Sequence, residues 1–178
     1  YDEQITDLSR DLFDVTVKDT RAVIAELQKR LKAEKDPKVK QDLEILIGAA
    51  EDQLRSASVN RKHLLPFLDL TQLMFGVMRQ TLDPRIPKER QKTLLVRMEK
   101  YAGITKGYRP ITDLAYERYV ERQKADKNLL GPYKGEVEQA LSAAPAMIKG
   151  MKDLLSKSEL KGWEPAFAAI ETQLTAYN

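Results

Sequence analysis

The chain has 178 residues, 42% of them hydrophobic and 32% charged, which suits one sizeable soluble core and excludes a disordered chain. Thirty basic residues against 27 acidic leave a net charge of +3, with the signs alternating along the sequence, so no field is strong enough to indicate nucleic acid as a partner. There is no cysteine and only one histidine, which removes disulfides and thiolate metal sites and leaves no self-contained histidine-based zinc site.

Ser9 reads as a helix N-cap with Asp11 in the first turn, where the helix dipole favours negative charge. Phe13, Val17, Thr20, Ile24, Leu27 and Leu31 follow in steps of three and four, predicting one amphipathic helix that ends near Lys35. Asp36-Pro37 restarts the chain, with an acceptor at the cap and a proline whose missing N–H costs nothing at the first position. Val39, Leu43, Leu46, Ile47, Ala50 and Leu54 form the expected inner stripe of the second helix, and the short connection pairs the two antiparallel.

Leu64-Leu65-Pro66-Phe67 is an apolar bend. Asp69 and Gln72 then have capping-box spacing, opening a helix with Leu70, Leu73, Met74 and Val77 inward. That run stops at Leu82-Asp83-Pro84, and Pro87 opens the next, whose apolar side carries Leu94, Leu95, Met98, Tyr101 and Ala102. Gly103 stands where a left-handed residue closes a helix, with Ile104 placed to fold back over the last turn. Pro110 begins, or Thr112 caps, a helix facing inward through Ile111, Leu114, Ala115 and Tyr119.

A helix is predicted from Pro132 to a break at Pro145, then another carrying Met147, Ile148, Met151, Leu154 and Leu155. The last has Trp163, Phe167, Ile170, Leu174 and Tyr177 in steps of four, three, four and three. No stretch alternates with a period of two. The expected fold is all-α: a single orthogonal or antiparallel bundle of about seven or eight helices spanning residues 1–178, with no sheet.

The lone His63 reads as a surface or bend residue, and no Gly-x-Ser-x-Gly elbow or Gly-x-Gly phosphate loop is present. Glu117 with Glu121, or Glu136 with Glu138, could serve as acid and base, but the flanking Arg118 and Arg122 make the first pair read as a solvated ion-pair ladder. The methionines read as core filler. More distinctive is an aromatic-basic cluster on two consecutive helices and their joining turn: Arg97, Tyr101, Tyr108, Arg109, Arg118 and Arg122, with Tyr116 and Tyr119 beside them. Tyrosine with arginine is typical of binding surfaces; the alternative is tyrosines packed inward with arginines lying over them.

Leu65-Pro66-Phe67, LLVRMEKYAGITKG from Leu94 to Gly107, Tyr108 through Ala115, Leu130-Gly131-Pro132-Tyr133, Glu136-Val137-Glu138 and Gly162-Trp163 together resemble a bacterial family, domain of unknown function 885, over nearly the whole chain. The resemblance implies a larger helical parent, exported to the periplasm, secreted or lipid-anchored, and many such proteins look like zinc metallopeptidases. Their His-Glu-x-x-x-Gly-His type motif is not in this sequence, so no catalytic, cofactor-binding or metal residue carries over. The expectation is a noncatalytic helical portion that walls or covers a substrate cleft, with the remainder of the parent polypeptide and a peptide substrate as partners. The alternative is a helical interaction module that binds a protein or cell-envelope component through the aromatic-basic face. No apolar run approaches the length of a membrane span, and the opening Tyr1-Asp2-Glu3, without an initiator methionine, fits a cleaved or truncated chain.

Overall fold

The computed structural model describes residues 2–9 and 11–178. Their helical segments, in order, are α1 (Leu12–Ala33), α2 (Pro37–His63), α3 (Leu70–Thr81), α4 (Lys88–Gln91), α5 (Thr93–Tyr101), α6 (Ile111–Ala125), α7 (Lys134–Lys157) and α8 (Glu164–Tyr177). Among the described residues the sole β-type pairing is an isolated parallel bridge between Leu64 and Leu130. The bundle is all-α, as the periodicity predicts.

The cap of α1 is Asp11 and not Ser9: the Asp11 carboxylate accepts from the Phe13 N–H at 3.1 Å, while Ser9 bonds back to Asp7. A carboxylate two residues nearer the apolar run is the better-placed acceptor. At the other end, the Glu34 carboxylate accepts from the amides of Lys35 and Asp36, ending the helix at Ala33. Asp36 and Pro37 start α2 as expected, with the Asp36 side chain accepting from Lys38 N–H at 2.8 Å. Helices α1 and α2 form an antiparallel hairpin that packs mainly on itself. Its interior is thin: Ile24, Leu43 and Ile47 are buried, whereas Leu46, expected inside, is 54% exposed. A two-helix layer covers a narrower stripe than a bundle does.

The main core lies elsewhere. Leu70, Met74 and Met78 of α3, Leu94, Met98 and Tyr101 of α5, Ile111 and Ala115 of α6, Met151 and Leu155 of α7, and Phe167, Ile170 and Leu174 of α8 form one buried cluster, joined by Leu8 from the amino-terminal segment. Full burial of each large apolar side chain contributes about 1.5–3 kcal/mol before the entropy of ordering it. Trp163 meets Phe167 edge to face at 5.9 Å. At the far end of α8 the Tyr177 hydroxyl donates to the Leu68 carbonyl at 3.1 Å.

The segment following Pro87 divides into α4 and α5 at Lys92 instead of running as one helix. Leu95 N–H bonds to Lys92 O with three-residue spacing, so the turn tightens there. The buried Gln91 amide donates to Asp83 O and Ile86 O and fixes this turn to the preceding loop. Gly103 closes α5 with φ +73°, and Ile104 N–H to Glu99 O and Gly103 N–H to Lys100 O complete the glycine-ended helix stop. Ile104 does not fold back: it is 53% exposed, because Glu99, the position it would cover, is charged. Pro110 occupies the cap of α6, and Thr112 is a buried first-turn residue, not a cap.

The break expected at Pro145 is absent. Helix α7 runs unbroken through it from Lys134 to Lys157. Pro145 is exposed, as is Leu141, whose carbonyl loses its N–H partner, and Ala144, Met151 and Leu155 keep the inner face on the bundle, where α7 packs along α3. Tertiary packing overrides the local penalty.

Candidate functional site

A cleft of about 860 Å³ opens where the base of the α1–α2 hairpin meets the carboxy-terminal half of α6 and the turn leading into α7. Its floor follows from one local event. Pro66 prevents α2 from continuing through the apolar bend, so the chain leaves His63 extended. Leu65 N–H donates to Leu130 O at 2.8 Å, and Leu130 N–H to His63 O at 2.9 Å. That bridge turns Leu65 into the core but leaves Leu64 and Leu130 facing out, Leu130 at 65% exposure. Tyr133, 77% exposed, stands at the lip. Gly135 makes room for it: a Cβ there would meet the Tyr133 ring at 2.7 Å.

Three arginines are set into this apolar surface. Arg61 pairs with Asp11 and lies over the Phe13 ring at 5.2 Å. Arg118 bonds Glu121 at 2.9 Å and approaches Glu117 at 3.7 Å. Arg122 donates to the Arg61 carbonyl at 2.5 Å and has no carboxylate partner among the described residues. The Nε atoms of Arg118 and Arg122 are shielded from solvent without an acceptor. Glu136 also lines the cleft.

The structure divides the aromatic-basic cluster of the sequence. Arg118 and Arg122 reach the cleft. Arg97 and Tyr101 line a second, smaller cavity on α5, and Tyr101 is only 2% exposed, a core ring and not a surface one. Tyr108 and Arg109 sit on the exposed α5–α6 turn, where Lys100 lies over the Tyr108 ring at 5.5 Å and Arg109 grips Glu117 with both terminal nitrogens, at 3.0 and 2.6 Å. Tyr116 is exposed and Tyr119 half-buried.

His63 is exposed, and its carbonyl, not its imidazole, makes the bridge. Glu138 pairs with Lys134. No group of three or more His, Asp or Glu side chains among the described residues is arranged to hold a metal ion, and no described helix is long and apolar enough to cross a membrane. Met74, Met78, Met98 and Met151 are buried filler as expected, whereas Met147, read in the same way, is half-buried. Arg61, its pairing with Asp11 and the pairing of Leu64 with Leu130 are features of the cleft that the sequence reading did not bring together. The punctuation at Leu64-Leu65-Pro66 and Leu130-Gly131-Pro132 was visible, but nothing local says that the two stretches meet.

Exposed ion pairs hold several carboxyls below their ordinary range. Arg85 hydrogen bonds lower Asp83 from 3.8 to about 2, Arg90 lowers Asp2, and Arg109 lowers Glu117. A depressed carboxyl stabilises the fold above its unfolded pKa and loses that contribution as pH falls through the folded value. Thermal stability should therefore drop in acid, with the Asp83 share lost between 3.8 and about 2. Asp83→Asn should flatten that part of a melting-temperature profile, and added salt should shrink the difference by screening. A profile that superimposes on the wild type would remove Asp83 from the account.

No protein-family model matches the chain, and neither a curated protein nor a solved structure matches it. The resemblance to domain of unknown function 885 thus rests on the sequence motifs alone.

Proposed function

We propose that this chain is a noncatalytic binding element whose cleft receives an extended apolar polypeptide segment bearing a carboxylate. The observation that carries the reading is the cleft itself: leucines and tyrosine left exposed around about 860 Å³, beside an arginine, Arg122, with no acidic partner among the described residues. Exposed apolar side chains converging on one concavity mark binding sites, whereas scattered ones do not. A guanidinium at the edge orients a carboxylate, and the apolar wall supplies the area. Within the family resemblance, this amounts to walling the peptide cleft of a larger amide hydrolase, the chemistry belonging to other parts of such a parent.

The test is fluorescence anisotropy with a labelled peptide of alternating leucine and valine ending in a free carboxylate. Leu130→Asp and Arg122→Gln should each weaken binding by about tenfold, and Leu130→Asp should leave the melting temperature unchanged, since Leu130 is exposed. The peptide should remain uncleaved with or without added zinc. Wild-type affinity in both variants, or cleavage by the chain, would sink the reading.

A further inference from the structure

We propose that the second cavity, beneath the amino-terminal segment, is a binding site for a small aliphatic carboxylate. It measures about 470 Å³, within the range of small-ligand sites, and lies between α3, α5 and residues 2–6. Arg97 and Tyr101 are one turn apart on α5, so both side chains leave the same helix face and line this space.

The hydrogen bonds around the cavity leave these two groups with unused donors. Asp2, the acid on its wall, is consumed: Arg90 takes both its oxygens, at 2.7 and 2.8 Å. Arg97 has no carboxylate partner among the described residues. Its hydrogen bond is from Nη1 to the neutral Thr81 Oγ1 at 3.3 Å, and its Nε is shielded without an acceptor. Thr81 donates its own hydrogen to the Val77 carbonyl at 2.8 Å and meets Arg97 only as an acceptor. Tyr101 receives the Thr6 N–H at 3.4 Å, and its own O–H has no acceptor among the described residues.

A guanidinium fork and a phenol on one face therefore have donors to spare, while the Asp2 carboxylate on the same wall feels the Arg97 charge but gives both oxygens to Arg90. A carboxylate matches that pair in charge and in planarity. Ile5, Val77 and Ile86 supply an apolar wall for a short aliphatic body. Phosphate is a poorer fit, since it calls for more donors than two side chains offer and has no body for the apolar wall.

The experiment titrates hexanoate, hexan-1-ol and inorganic phosphate into the full chain by calorimetry. Hexanoate should bind saturably at one site, with hexan-1-ol and phosphate at least about tenfold weaker. Arg97→Gln should weaken hexanoate by about tenfold or more, and Tyr101→Phe by about threefold. Arg97→Lys, which keeps the charge but not the fork, should fall between wild type and Arg97→Gln and serves if the glutamine variant does not fold. The cleft variant Leu130→Asp should bind hexanoate like wild type, so the two sites succeed or fail separately. Absence of saturable hexanoate binding, equal affinity for phosphate, unchanged binding in Arg97→Gln, or loss of binding in Leu130→Asp would each overturn the assignment.

Discussion

Gly103→Ala should lower the melting temperature by about 6–12 °C, the equivalent of about 3 kcal/mol in a domain of this size. Two costs combine. The backbone at Gly103 has φ +73°, which a side chain disfavours by about 1 kcal/mol. An added Cβ would also stand 2.6 Å from Pro110 N and Cδ and 2.9 Å from Arg109 C. These are backbone and ring atoms that cannot rotate away, so the α5–α6 junction must open, at about 1–3 kcal/mol for overpacking. Gly107 separates the two terms. Its φ is +88°, yet a Cβ added there would meet no atom within 4 Å, so Gly107→Ala should show the conformational cost alone, about 1 kcal/mol. Equal losses in the two variants, read by thermal circular dichroism, would show that the contact with Pro110 contributes nothing.

Pro145→Ala should act in the opposite direction and stabilise the fold by about 2 kcal/mol. An interior proline costs a helix about 3 kcal/mol relative to alanine, through the missing N–H and the ring clash one turn back. Replacing it also loosens the unfolded chain, which offsets about 0.4–1 kcal/mol of the gain. No packing is forfeited, because Pro145 is exposed while its neighbour Ala144 faces the core. The gain should appear as a higher denaturant midpoint with an unchanged slope. A lower midpoint would mean that the bend at Pro145 is needed for α7 to lie along α3.

Helix starts and stops written by one or two residues were readable directly. Asp36-Pro37, Asp69 before Leu70 and Gly103 each act through their own backbone geometry or a carboxylate a few atoms from the amide it caps, and each behaves as its residue type requires. Choices between equivalent signals were not. Ser9 and Asp11 are both good caps; Asp11 takes the place because it lies nearer the apolar run, while Ser9 is held in a turn with Asp7. At Pro145 the local rule says break, and burial along α3 outweighs it. The candidate sites were less legible still. Arg97 and Tyr101 share a helix face and stay together; Arg118 and Arg122 go to another cavity because the α5–α6 turn redirects the chain.

From the sequence alone follow the all-α class, the periodic inner faces of α3 and α8, and the shortage of imidazole and thiol. These depend on side-chain chemistry and on spacing within one helix. Tertiary structure decided that Leu64 meets Leu130, that Asp2 occupies Arg90 and leaves Arg97 without an acid, and that the α1–α2 hairpin packs mostly on itself. Each of those is a contact between residues distant in the chain, where the partner is selected by how the whole bundle closes and not by the residues on either side.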